Sequence, residues 1–257
     1  MNLNNKAYLW LLSYDREEYF PQKQDISKLS ESELTRYKSC SNYRKKELLL
    51  GRLLLRHALG GCLGYRIASL EVIERQGLLP KVPLAEEYRL RFSISHSDSV
   101  IAVVVRGDES EGSNVIGLDI EYLQLDRRLS AAKIFCTREQ LEQISKVEGI
   151  EEKRHLFYLF WTQKEACYKA YSDTNKSVNL KSIGFDLQRC SKNTDLFFSP
   201  IDIESRDVRG MYYCSVYAPG VSTLVTKHVQ IANGTIDAGA EELLINWGRY
   251  FSNDTNS

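Results

Sequence analysis

The sequence predicts an α+β protein whose two halves each carry a long helix followed by strands. Leu156 to Tyr171 runs without Gly or Pro through good helix formers, and a leucine-rich helical stretch begins near Tyr43 and ends at Gly60-Gly61. Short runs rich in β-branched and aromatic residues, among them Val100 to Val105, Val115 to Glu121 and Tyr212 to Tyr217, read as strands. No internal sequence repeat accompanies this recurring order.

In chain order, Ala7 to Ser13 is a strand, followed by a polar loop through Lys28. Ser30 with Glu33 three residues on is a capping-box signature that opens a short helix. The helix from Tyr43 carries Leu48, Leu49, Leu50, Leu53, Leu54 and Leu55, with a basic leading edge of Arg44-Lys45-Lys46 and with Arg52 and Arg56 further along. Leu70 to Ile73 is a strand, and Gln76 to Pro83 is a turn-rich loop holding Lys81. Phe92 to His96 and Val100 to Val105 form a hairpin about Ser97-Asp98-Ser99. Gly107 to Asn114 is a charged loop before the strand Val115 to Glu121, and Tyr122 to Arg128 connects the halves.

In the second half, Leu129 to Phe135 is helical, and Thr137 with Gln140 makes another capping box, opening a helix to about Val147. Glu151 to Ser172 is the long central helix, with Leu156, Phe160, Cys167 and Ala170 facing inward. Ile183 to Leu187, Leu196 to Ile203 and Tyr212 to Tyr217 are strands, and Glu241 to Phe251 is a last helix before a frayed tail.

Lys plus Arg and Asp plus Glu are both 34, and this balance argues against a general nucleic-acid binder. The six cysteines, at positions 40, 62, 136, 167, 190 and 214, include no C-x-x-C pair. That points to reduced, mostly buried thiols rather than zinc or redox chemistry. The apolar run Ala7 to Leu12 meets Asp15-Arg16-Glu17-Glu18 instead of a cleavage site, and no run approaches the roughly 20 apolar residues that span a bilayer. A soluble, cytoplasmic protein with no membrane partner is expected, in which the sequons at Asn233 and Asn253 carry nothing.

Chemistry concentrates in three stretches. On the central helix Trp161, Glu165 and Lys169 stack one turn apart. A Glu–Lys pair at that spacing is by itself an ordinary surface feature contributing roughly 0.2–0.5 kcal/mol. Upstream, however, Asp119 and Glu121 fall on one face of a strand whose other residues are apolar. Carboxylates so placed are costly to bury unless paired or bound to a cation. Asp119, Glu121 and Glu165 together make an oxygen-rich site of the kind Mg²⁺ uses when a substrate phosphate supplies further ligands. The third stretch is Ser95-His96 at a strand-to-turn junction, where backbone N–H groups and an imidazole can meet a phosphate.

The ordered motifs Ile94-Ser95-His96, Ile116-Gly117-Leu118-Asp119-Ile120-Glu121 and Trp161-Thr162-Gln163-Lys164-Glu165-Ala166-Cys167-Tyr168-Lys169 resemble those of the 4′-phosphopantetheinyl transferases, specifically the long, Sfp-like class. His96 and Asp119 are 23 positions apart, and Asp119 and Glu165 are 46 apart. The resemblance spans about Arg36 to Gly184. It implies two similar subdomains in pseudo-twofold arrangement, each a long helix packed on a small, mostly antiparallel sheet. Residues 1–122 form the N-terminal subdomain, 123–251 the C-terminal one, and 252–257 the tail.

The resemblance further implies transfer of 4′-phosphopantetheine from coenzyme A to a serine of an apo acyl, aryl or peptidyl carrier protein, releasing 3′,5′-ADP. Asp119, Glu121 and Glu165 are then ligands for Mg²⁺, with Mn²⁺ as the alternative ion. Glu165, or a water on the metal, takes the serine proton, and Lys169 places positive charge or a proton on the departing 3′,5′-ADP. Ser95 and His96 grip coenzyme A phosphates, His96 as an anion-binding donor. The family's basic residues ahead of the leucine run contact the coenzyme A 3′-phosphate, so Arg44, Lys45 and Lys46 are candidates as a set. Glu47 stands where another base is expected.

Lys81 sits 14 positions before Ser95, about where the family has a Gly-Lys-Pro element, although here the sequence is Pro80-Lys81-Val82-Pro83. A monomer with coenzyme A between its halves is expected, serving fatty-acid or secondary-metabolite synthesis. A catalytically idle coenzyme A- or carrier-binding module is the alternative, against which the retained carboxylates and Lys169 argue. No G-x-x-x-x-G-K-[ST] loop supports another phosphoryl transferase. Ser95 and His96, adjacent on a strand, point to opposite faces and do not make a nucleophile–base pair.

Overall fold

The computed structural model describes residues 3, 5–65, 70–75, 78–107, 115–172, 179–183, 196–204, 209–232, 235–236 and 241–243. Its first half contains β1 (Lys6–Ser13), α1 (Lys23–Ile26), α2 (Glu31–Ser39), α3 (Asn42–Leu63), α4 (Pro83–Glu87), β2 (Leu90–Ser97), β3 (Val100–Gly107) and β4 (Gly117–Tyr122). The second contains α5 (Ala132–Phe135), α6 (Arg138–Lys146), α7 (Ile150–Tyr171), β5 (Leu196–Glu204), β6 (Arg209–Tyr217), β7 (Thr223–Ala232), β8 (Thr235–Ile236) and β9 (Glu241–Leu243). Short 3₁₀ turns at Leu129–Ala131 and Leu180–Ser182 complete it. Among the described residues no helix is long and apolar enough to cross a membrane.

The α+β expectation holds, and the elements form four layers. One sheet has the order β2-β3-β1-β7-β8, with β9 also on β7; the other has the order β4-β6-β5. Neighbours run antiparallel except β1 and β7, which are parallel. Tyr8, Trp10 and Leu12 of β1 face a core with Leu54, Leu55 and Leu59 of α3. Ala7, Leu9 and Leu11 face a second core with Leu118 and Ile120 of β4 and Tyr212, Cys214 and Val216 of β6. Buried on both faces, β1 and β3 read as continuous apolar runs rather than alternating ones. The far side of the second sheet presents Tyr213 to Tyr158 and Phe160 of α7. Each sheet is thus backed by a 22-residue helix, α3 or α7. The sheets cross the expected boundary between residues 122 and 123 twice: β4 joins the second sheet, and β7 returns to the first.

Both capping boxes form, at Ser30 with Glu33 and at Thr137 with Gln140. Several expected elements differ. Gly60 and Gly61 stay helical, because Leu59 and Cys62 still pack on the sheet, and α3 ends at Gly64 in the left-handed region with φ of 81°. Ser97 pairs with Val100, so only Asp98-Ser99 turn the hairpin, with Asp98 at φ of 50°.

Leu70 to Ile73 is not a strand beyond a bridge from Ile73 to Lys81. Its backbone groups are met by side chains instead: Leu70 O accepts from Arg56 Nη2 (3.2 Å), Val72 O from Ser30 Oγ (2.8 Å), and Glu74 N donates to Ser32 Oγ (2.7 Å). Residues 241–243 are extended rather than helical, because they pair with the open edge of β7, and 244–251 lie outside the described residues. Ile183 follows a 3₁₀ turn without being in a strand, and 184–187 lie outside the described residues. The polar stretch before Lys28 contains the short α1, and α4 and β7 have no counterpart in the sequence reading.

Buried charge ties α2 and the 70–75 segment to α3. Arg56 donates to Glu33 Oε1 (3.0 Å) and Oε2 (2.6 Å), while Arg52 reaches Glu33 (3.4 Å) and donates to Glu74 (2.9 and 2.5 Å). Removing one partner from such a cluster strands the other in a dry environment. Glu33→Ala is expected to cost about 3–5 kcal/mol in urea unfolding, whereas Arg138→Ala, which breaks only the exposed pair with Glu142, leaves stability near that of the parent. Equal effects would show that the Glu33 cluster is not energetically buried.

Candidate active site

Because strand side chains alternate, Ser93, Ser95 and Ser97 share one face of β2. Their hydroxyls accept successive backbone N–H groups of β4, from Leu118 (3.1 Å), Ile120 (3.3 Å) and Tyr122 (2.9 Å). The two strands belong to different sheets, and this ladder of hydroxyls stitches their edges together. Ser95 then donates to Asp119 Oδ1 (3.0 Å) and Ser97 to Glu121 Oε2 (3.2 Å).

On the other side of β4 lies α7. A Cβ added at Gly117 would stand 1.8 Å from Ala166 O and 2.6 Å from Ala170 N, so the strand meets the helix backbone to backbone. That approach brings Lys169 Nζ to Asp119 Oδ1 (2.7 Å) and Ser95 Oγ (3.0 Å). Asp119 is 5 % exposed, and its Oδ2 is buried with no hydrogen-bond partner. Glu121 Oε1 accepts from Trp161 Nε1 (3.0 Å), and Oε2 lies 3.5 Å from Arg127. Trp161 thus both packs edge-on against Phe135, with ring centroids 4.9 Å apart, and orients a carboxylate.

Burial, and then the neighbouring Asp119 charge, hold the carboxyls of Glu165 and Glu121 above the ordinary carboxylate range. Burial pushes the His96 imidazole down. Lys164, on another face of α7, has no part here: it is fully buried and donates to Leu180 O (2.8 Å) and Ile183 O (2.5 Å), with burial pulling its ammonium down to about 8.

A cavity of about 440 Å³ opens beside this cluster, lined by Glu165, Tyr168 and Lys169 of α7, His96 of β2, and Arg44 and Glu47 of α3 among others. Ser95 and Asp119 are not part of its lining, but Lys169, which is, donates to both. Of the basic set only Arg44 lines it. Lys45 Nζ sits 5.8 Å from the Tyr37 ring centroid, and Lys46 donates to Arg16 O with its ammonium 4.9 Å from the Phe20 ring centroid. Lys81 pairs with Glu86 (3.3 Å) and lines a separate cavity of about 80 Å³. Sequence reading missed the Ser93–Ser95–Ser97 ladder, which the period of two announces, and the contact role of Gly117.

Among the described residues no three His, Cys, Asp or Glu side chains stand so that they could hold a metal ion by themselves. The donor set nonetheless fits a hard cation that completes its shell with substrate oxygens and water, because the buried Asp119 Oδ2 is unmatched and the charges of Asp119, Glu121 and Glu165 oppose one another.

An acidic pair on a strand, and an acidic and a basic residue one helical turn apart beside a cavity of about 440 Å³, are the groups an enzyme handling a phosphorylated substrate needs. A sequence model of the 4′-phosphopantetheinyl transferase superfamily matches residues 115–210, the span that holds β4 and α7. The chain is 31% identical over 175 residues to the 4′-phosphopantetheinyl transferase HetI of Nostoc sp. (strain PCC 7120), covering 66% of this chain and 70% of that protein. The chain belongs to the 4′-phosphopantetheinyl transferase superfamily. It is a transferase that moves phosphopantetheine from coenzyme A to carrier proteins.

The Gly117 contact yields a test. Gly117→Ala is expected to lose about 3 kcal/mol in urea unfolding, as overpacking against an unyielding backbone does, and to part Lys169 from Asp119. A variant as stable as the parent would show that β4 and α7 are not in backbone contact.

Proposed function

We propose that this chain is a divalent-cation-dependent enzyme of the long, Sfp-like class, binding coenzyme A in the cavity where the halves 1–122 and 123–251 meet. The observation that carries the reading is the convergence of Asp119, Glu165 and Lys169 beside a cavity that also presents Arg44 and His96. Asp119, Glu121 and Glu165 would hold Mg²⁺, or Mn²⁺. When bound, the ion supplies Lewis-acid stabilisation of pyrophosphate charge. The backing of each sheet by one 22-residue helix supports a pseudo-twofold relation of the halves.

The chain's own residues divide the remaining work. Glu165, or a water on the ion, would take the proton of the carrier serine. Lys169 places its ammonium against the departing 3′,5′-ADP, and Ser95 orients both Lys169 and Asp119. Arg44 and His96 contact coenzyme A phosphate. Lys45, Lys46 and Lys81 join them only by rotating from their present partners. The reading is of a cytoplasmic monomer acting on acyl, aryl or peptidyl carrier domains.

Intact mass spectrometry of apo carrier proteins incubated with the protein, coenzyme A and Mg²⁺ is expected to show the gain of one phosphopantetheine, lost when a chelator is added. Modification that persists in chelator would remove the metal from the reading. Glu165→Gln is expected to abolish transfer with an unchanged unfolding curve; parental rates would exclude Glu165 as base and ligand.

The sign of the pH dependence follows from the raised carboxyls. Activity needs the ionised form and falls as pH drops through the raised value, and a cation among the carboxylates favours ionisation. The acidic limb of kcat/KM is therefore expected above the ordinary carboxylate range at limiting Mg²⁺ and to move downward as Mg²⁺ rises. A limb that stays put would sink the assignment of these carboxylates to the metal.

A further inference from the structure

Glu47 departs from the basic pattern expected at its position, and the structure gives it a definite place. It is 5 % exposed, on the turn of α3 that follows Arg44, and it lines the same cavity as Arg44 and His96. The three side chains close a triangle. Arg44 Nη1 donates to Glu47 Oε2 at 2.8 Å and lies 3.1 Å from His96 Nε2, while His96 Nδ1 stands 3.4 Å from Glu47 Oε1.

A guanidinium has only N–H groups to offer, so His96 Nε2 must be the acceptor in its contact with Arg44. A neutral ring then carries its proton on Nδ1, the nitrogen that faces Glu47. Burial favours the neutral ring, and Arg44 and Lys169 act in the same direction, against Glu47 and Asp119. The members differ in freedom: the Arg44 side chain is 58 % exposed and Glu47 5 %. Arg44 is therefore the group that can swing towards an incoming anion, and Glu47 is the fixed post.

We propose that Glu47 is a positioning residue for the coenzyme A site, its carboxylate holding the Arg44 guanidinium over the cavity and fixing His96 as the Nδ1–H tautomer. This rests on the reading of the cavity as the coenzyme A site. Glutamine keeps the shape and can still accept from Arg44, but it offers an amide N–H₂ where the second carboxylate oxygen was. Facing that donor, His96 would gain by placing its lone pair on Nδ1 and its proton on Nε2, in conflict with Arg44.

The experiment pairs kinetics with nitrogen NMR of the histidine rings in the parent, Glu47→Gln and Glu47→Ala, with His96→Asn assigning the signal. In Glu47→Gln, KM for coenzyme A is expected to rise roughly tenfold, as the loss of one charge-assisted hydrogen bond implies, with kcat within about twofold. The His96 signal is expected to leave the Nδ1–H pattern. Thermal unfolding of both variants separates this from a folding defect, since a partly unfolded variant would lower apparent kcat at an unchanged KM and broaden all four histidine signals.

An unchanged or lower KM in Glu47→Gln would overturn the proposal, because it would make Glu47 a competitor for Arg44 and not its support. A His96 signal in the Nε2–H pattern in the parent would overturn the tautomer assignment. Should the parent fail to bind coenzyme A in calorimetry, the site reading falls with the kinetic role, while the NMR comparison still decides whether Glu47 sets the His96 tautomer.

Discussion

The structure turns on one buried carboxylate. Asp119 lies between a strand edge and a helix, where an isolated charge would cost several kcal/mol. It is tolerated because Ser95 and Lys169 both donate to one of its oxygens. Each donor arrives from a different layer, so satisfying this single group requires β2, β4 and α7 to be in register together. Gly117 lets α7 come close enough for Lys169 to reach, and the serine ladder holds β2 at the right height. The other oxygen is left unmatched. An arrangement that satisfies half a carboxylate and buries the rest is poor design for stability alone.

The layering follows from the same demand. Two sheets packed face to face bury β1 and β3 on both sides, which gives the site a rigid floor. The two long helices then close the outer faces, α3 bringing Arg44 and Glu47 to the cavity and α7 bringing Glu165 and Lys169. Functional side chains thus stand on regular elements whose rotamers are held by packing, not on loops.

Much of this was legible in the sequence, and the reasons are local. Both capping boxes, both long helices and the strands bearing Ser95 and Asp119 follow from side-chain periodicity and capping chemistry, and the spacing of Trp161, Glu165 and Lys169 already puts them on one stripe. What escaped is non-local. Thr223 to Ala232 mixes Lys227 and His228 with apolar residues and shows no clean alternation, yet it is the parallel partner of β1, with His228 held by Ser13 at 3.0 Å. Leu70 to Ile73 has strand composition, but its hydrogen bonds go to side chains on α2 and α3 that no local pattern reveals. The basic run Arg44-Lys45-Lys46 looks uniform in sequence. At about 100° per residue on a helix, only one of the three can face the cavity.

That geometry leaves the cavity in electrostatic balance with the chain itself. Arg36 and Arg52 both engage Glu74, Arg44 engages Glu47, and Lys169 engages Asp119, so each of these cations on the wall already has a carboxylate. An anionic ligand therefore meets cations already held by carboxylates. What each cation can offer depends on how far it can turn without giving up its counter-ion. Arg52 is 7 % exposed and tied into the Glu33 and Glu74 network, so it is costly to move. Arg44 is mostly in solvent and has further N–H groups to offer an anion while Nη1 stays on Glu47. Lys169 lies between these limits, and its release from Asp119 becomes favourable once another cation neutralises that carboxylate. On the proposed reading, a cation placed at Asp119 would also be what frees the Lys169 ammonium to face a phosphate, and Lys169 would then couple the two binding events.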